Sequence, residues 1–231
     1  MARLTVHPSL KPFVSALRDG TPQKVVMFGD SITFGSQVDP AFDHDIVFHR
    51  QWADQLRERW PAANLEVINR GVPGNKIADA LARFESDVVA HSPHLVVVEF
   101  GINDCWSGPD GGDAYEAGLR QLVTQLKTGT TAPIILLTAN MMNFGVTPQA
   151  LQHAWFAEVS ANAQKSGWMD DYMNRMRRVA TQLDVCLADG YAKYQHARAR
   201  GLDTDTLLAN GANHPNEQGH GILADALLEV F

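Results

Sequence analysis

The chain has 231 residues, 45% of them hydrophobic and 19% charged, with a formal net charge of −7. That length and apolar content are enough for one substantial core. Lysine and arginine are scattered rather than clustered, which argues against nucleic-acid and anionic-membrane partners, and no apolar stretch approaches the length that spans a bilayer.

In chain order, the first twenty residues are interrupted by Pro8, Lys11, Pro12 and Arg18 and so lack a signal peptide's apolar core. A cytoplasmic location is therefore expected. Residues 24–28 (KVVMF) read as a first strand, followed by an unusually long connection over 36–49. Residues 65–69 (LEVIN) read as a second strand. Ile77, Ala80, Leu81, Phe84 and Val88 then make one helical stripe. A third strand, 95–100 (LVVVEF), precedes a stripe of Leu119, Leu122, Val123 and Leu126. After a fourth strand, 133–138 (PIILLT), comes a second long segment, 140–167, in which 148–164 can be helical. Tyr172, Met176, Val179, Ala180 and Leu183 form a further stripe. A weaker strand follows at 185–188, and Ile222, Leu223, Ala226, Leu227 and Val230 line a last helix that Asn216 can cap.

Near-continuous hydrophobicity in the strands suits a parallel sheet covered on both faces. Strand–helix alternation without repeats or linkers predicts one α/β domain, a three-layer α/β/α sandwich with right-handed crossovers. Cys105 and Cys186 form no C-x-x-C pattern and read as two reduced thiols.

Three polar turns leave three consecutive strands and so open on one sheet edge: residues 29–33 (GDSIT), 70–75 (RGVPGN) and 101–104 (GIND). A fourth polar element, 213–216 (NHPN), precedes the last helix. Together they offer a hydroxyl, a glycine amide, a carboxamide and an imidazole, the inventory of acyl transfer. A serine hydroxyl needs a base within hydrogen-bond reach, and the tetrahedral intermediate needs fixed donors around its oxyanion. Ser31, Gly74, Asn103 and His214 supply these types. Each also has a plainer role to weigh, as helix cap or turn residue.

These four blocks, in this order, resemble those of the SGNH (GDSL-type) hydrolases, and they span nearly the whole chain. The resemblance implies a flavodoxin-like five-stranded sheet of order 2-1-3-4-5 and a small-molecule ester as substrate, with no cofactor. It also implies Ser31 as nucleophile, His214 as general base, and the Ser31 N–H, Gly74 N–H and Asn103 side chain as the oxyanion hole. One position departs from the family pattern: Gly211 stands where an aspartate usually precedes the histidine by three residues. The expectation is a Ser–His dyad supported by a backbone carbonyl near Asn210 or Gly211, with Asp189, Asp203 and Asp205 as unranked candidates for an acid.

Other chemistries find no pattern. There is no G-x-S-x-G elbow, no phosphate loop and no dinucleotide turn. His44 with His49, and His91 with His94, match no metal spacing and read as scattered surface histidines, so no metal is expected. The two long segments, with Phe42, Trp155 and Phe156, are candidate substrate walls or, equally, packing or dimer contacts. The expected activity is hydrolysis of a small or short-chain ester, with O-acetylated carbohydrate as the leading substrate. Acyl transfer and a non-catalytic binding module are the rivals.

Overall fold

The computed structural model describes residues 6–231. The elements follow in chain order. Helix α1 (Lys11–Asp19) is stopped by Gly20 and followed by β1 (Gln23–Gly29) and the single-turn α2 (Ser31–Phe34). Next come α3 (Phe48–Arg59), β2 (Leu65–Gly71), α4 (Ile77–Asp87) and β3 (Leu95–Glu99). Then α5 (Gly112–Gly129), β4 (Ile134–Leu137), α6 (Ala154–Lys165) and α7 (Trp168–Gln182). The chain closes with β5 (Cys186–Ala188), α8 (Gly190–Ala199) and α9 (Glu217–Leu228).

The five strands form one parallel sheet of order β2-β1-β3-β4-β5. Strand order reverses at β1, so crossovers of one hand land on opposite faces. Accordingly α3 and α8 pack on α9, while α4, α5 and α7 pack in succession as a second group. The middle strands β3 and β4 are wholly buried, whereas the edge strand β2 is only partly covered. This is the expected sandwich.

The strand readings hold to within two residues at either end. Helices α1, α3 and α8 are additions, because their apolar stripes are short. In α3 only Phe48, Trp52, Ala53 and Leu56 are buried apolar residues, set among charged ones. Residues 148–164 are not one helix: Pro148–His153 form a 3-10 turn, and α6 begins only at Ala154. Both cysteines are free and buried. Among the described residues, no helix is long and apolar enough to cross a membrane.

Candidate active site

In the sheet register Gly29, the last residue of β1, pairs with Gly71 on one side and Glu99 on the other. The turns after β1, β2 and β3 therefore emerge side by side. Ser31 opens α2, where the Asp30 carboxylate caps the turn by accepting the Ile32 N–H at 2.9 Å.

Across the crevice, His214 Nε2 lies 3.1 Å from Ser31 Oγ. His214 Nδ1 lies 2.7 Å from the Gln37 carbonyl oxygen. A carbonyl can only accept, so Nδ1 carries the hydrogen and Nε2 is left as the acceptor facing the serine. The supporting carbonyl thus comes from the loop after α2, not from residues 210 or 211 as expected from the sequence. Gln37 holds the same turn a second time, donating Nε2 to the Pro215 carbonyl at 3.1 Å. The histidine turn itself is shaped by Asn210, whose Oδ1 accepts the N–H groups of Ala212, Asn213 and His214 at 3.0–3.1 Å. Burial pushes the imidazole below its ordinary pKa, and the Gln37 carbonyl and the Asp39 carboxylate pull it partly back.

Gly211 is glycine for two reasons. Its φ is +67°, and a Cβ there would stand 2.5 Å from Thr147 Oγ1 and 2.9 Å from the Ala150 Cβ. The segment after β4 occupies the room an aspartate side chain would need. The remaining acids are engaged elsewhere. Asp189 binds Arg177 through both oxygens, at 2.8 and 2.9 Å. Asp203 caps its own turn, and Asp205 accepts the N–H groups of Phe144 and Gly145 at 2.8 and 2.9 Å.

On the opposite side, Asn103 Nδ2 donates to the Asn75 carbonyl at 3.0 Å and approaches Asp30 Oδ2 at 3.3 Å. Asp104 Oδ1 accepts the Ile77 N–H at 3.0 Å, so the glycine turn and the asparagine turn are tied twice. Gly74 has φ +80°, and a Cβ there would meet nothing within 4 Å. Backbone conformation, more than crowding, selects glycine at that position. Among the described residues, neither the Ser31 nor the Gly74 N–H is engaged by a protein acceptor. Arg83 on α4 fastens three pieces together. It donates to the Gly29 carbonyl at 2.8 Å, the Arg70 carbonyl at 3.0 Å and Asn75 Oδ1 at 2.7 Å. Gln37, Asn210 and Arg83 carried no motif, since each acts through contacts remote in sequence or through its own turn.

Of the three candidate wall residues, Phe42 and Trp155 are exposed and Phe156 is half-buried. Phe42 is 56% exposed and pairs by a β-bridge with Ser36, on the loop that holds Gln37. Trp155 is 70% exposed and packs on Phe156 at 5.8 Å, which in turn packs on Trp106 at 5.3 Å. Trp106 lies three residues beyond Asn103, and Phe156 packs against the Ala150–Ala157–Ala212 cluster beside the histidine turn. This aromatic ladder links the segment after Asn103 to the Ala212 cluster next to the histidine turn.

One sequence reading is corrected: His49 is a buried histidine, not a surface one, with Nε2 3.1 Å from the Thr33 carbonyl. His220 in α9 is fully buried. Among the described residues, no three His, Cys, Asp or Glu side chains stand together as metal ligands would.

The chain is 28% identical to an acetylxylan esterase from Geobacillus stearothermophilus over 92% of this chain and 95% of that one. The crystal structure of that enzyme, Axe2, superposes with a TM-score of 0.69 over 90% of this chain and 94% of its own. In Axe2, alanine variants of a serine, of an aspartate and of a histidine three positions after that aspartate are called catalytic mutants. The uncharacterized lipoprotein YqeF of Bacillus subtilis is 25% identical over 93% of this chain and 92% of its own length. LAE5, an alpha/beta hydrolase enzyme from the metagenome of Lake Arreo, has a TM-score of 0.70 at 26% identity, over 90% of this chain and 94% of its own. The model of the GDSL-like lipase/acylhydrolase family matches residues 27–222. The chain belongs to that family, and it is a carboxylic ester hydrolase.

Proposed function

We infer that the chain removes acetyl groups from O-acetylated carbohydrates through a Ser31 acyl-enzyme. The observation that carries this reading is the 3.1 Å contact between Ser31 Oγ and His214 Nε2. The substrate class follows from the acetylxylan esterase relatives.

In the first half-reaction His214 Nε2 takes the hydroxyl proton as Oγ bonds to the acetyl carbon. The carbonyl oxygen becomes an oxyanion held by the Ser31 N–H, the Gly74 N–H and an Asn103 side-chain N–H. Collapse breaks the bond to the sugar oxygen, which leaves with the proton from His214. Water then attacks the acetyl-serine and passes its proton to His214. Collapse returns that proton to Oγ and releases acetate. Each imidazolium formed on the way has Nδ1–H on the Gln37 carbonyl and the Asp39 carboxylate nearby. A neutral carbonyl compensates that charge less than an aspartate would.

The test is labelling with a fluorophosphonate and acetate release from acetylated xylo-oligosaccharides. Wild type should label and release acetate, while Ser31→Ala abolishes both and His214→Ala slows both by several orders of magnitude. A wild type that takes no label and releases no acetate overturns this reading and returns the non-catalytic binding module, the rival kept open by the missing aspartate at residue 211. Acetyl recovered on an added alcohol, instead of as acetate, makes the same site a transferase.

A further inference from the structure

Behind Ser31 lie two carboxyl groups that this mechanism does not use. Asp30 and Glu99 are both fully buried, at the neighbouring ends of β1 and β3. Glu99 Oε2 accepts the Thr33 hydroxyl at 2.8 Å. Among the described residues Glu99 Oε1 meets no donor at hydrogen-bond geometry, and beside the Asp30 and Thr33 N–H groups the adjoining Asp30 carboxyl is the side chain able to supply one. Two adjacent carboxyls out of reach of water do not both ionise, so one proton stays between them. Asp30 Oδ1 accepts the Ile32 N–H. Asp30 Oδ2 reaches Asn103 Nδ2 at only 3.3 Å, the long end of the hydrogen-bond range.

We propose that Asp30 is a positioning residue acting as a neutral carboxylic acid, which donates its proton to Glu99 and so leaves the second N–H of Asn103 free to turn to the oxyanion. The first N–H of Asn103 stays on the Asn75 carbonyl. An ionised Asp30 would grip the second N–H and set a negative charge behind the oxyanion as it develops. The surroundings keep the acid neutral. Burial and the charges of Glu99 and Asp104 raise Asp30 well above the usual carboxyl range, and burial pushes Glu99 up to about 7. Thr33 from α2, Tyr115 from α5 and Arg83 from α4 complete the shell. Tyr115 donates to the Phe100 carbonyl at 3.1 Å, Arg83 is spent on the Gly29 carbonyl and on Asp87 at 2.7 Å, and the Lys76 charge acts on Asp104.

The proposal rests on the Ser31–His214–Asn103 reading and is tested by the alkaline side of the kcat–pH profile. Wild type should lose kcat, with KM unchanged, as the shared proton leaves. Removing the Glu99 charge lowers the Asp30 pKa, so Glu99→Gln should shift that fall to lower pH. At mildly alkaline pH its kcat should be about tenfold down, short of the about 10²–10³-fold that loss of a whole oxyanion donor costs. Asp30→Asn, a permanently neutral mimic whose N–H₂ can donate to Glu99, should remove the fall. If Asp30→Asn does not fold, Glu99→Gln and infrared spectroscopy of the wild type decide. A protonated carboxyl C=O band must persist above neutral pH and vanish with the same midpoint as kcat. An unmoved alkaline fall in Glu99→Gln, or no such band, overturns the proposal while Ser31 labelling stands. A wild type that neither labels nor hydrolyses overturns both readings together.

Discussion

His214 Nδ1 rests on the Gln37 carbonyl, 177 positions earlier in the chain, at 2.7 Å. The loop after Ser31 therefore holds the imidazole by Nδ1, and on the proposed function it does the orienting that an aspartate three residues before the histidine would do. The same loop clamps the histidine turn through Gln37 Nε2. Loss of that clamp should loosen the imidazole without removing its acceptor. Gln37→Ala is expected to lower kcat about tenfold or less while leaving fluorophosphonate labelling detectable, since well-placed orientation is worth more than a single exposed hydrogen bond. Stopped-flow labelling rates check this.

Restoring the family's aspartate should fail. Gly211→Asp puts a non-glycine residue at φ +67° and a Cβ against Thr147 and Ala150. The backbone conformation alone costs about 1–3 kcal/mol, and each kcal/mol lowers Tm by about 2–4 °C in a domain of this size. Lower Tm together with lower kcat/KM is the expected result. A gain in activity would show that the 147–150 segment yields and that a triad can form.

The acid limb of kcat/KM should lie below about pH 6.5, the ordinary histidine value. The base must be neutral, and burial lowers the His214 pKa, so activity is lost only as pH falls through that lowered value. Asp39 raises the same pKa. Asp39→Asn should therefore move the limb still lower, with a shift that shrinks in high salt because Asp39 is exposed. A limb at or above the ordinary value contradicts the burial argument.

Asp203→Asn and Asp205→Asn should both keep most of their activity, because neither carboxylate is directed to His214. Asp205→Asn should nonetheless lose stability. It gives up one of two acceptor oxygens for the Phe144 and Gly145 N–H groups, a loss of about 1–3 kcal/mol. Thermal unfolding beside acetate release separates the two effects.

Trp155 is exposed and packs on Phe156, and on the proposed function it is the candidate to stack on a sugar ring of the substrate. Trp155→Ala should raise KM for acetylated xylo-oligosaccharides severalfold. It should leave KM for nitrophenyl acetate unchanged, since that ester offers no sugar. Equal effects on both substrates would assign Trp155 to packing alone.

Much of this architecture could be read from the chain itself. Continuous apolar runs in β1, β3 and β4 reflect burial on both faces, a property of each strand's own residues. The serine, glycine, asparagine and histidine blocks each sit where a strand ends or a helix begins, so local spacing was enough to find them. Glu99 could have been noticed as a lone carboxylate inside an apolar strand, but its partner Asp30 lies 69 positions away and no local pattern joins them. Helix α3 stayed hidden because its stripe of Phe48, Trp52, Ala53 and Leu56 matters only once α9 covers it. What supports His214, why residue 211 must be glycine, and which acids are already engaged depend on contacts across the fold. Those contacts arise from the packing of the loops after α2 and β4 against the histidine turn. Side-chain periodicity specifies which face is buried, not which distant backbone group a side chain will meet.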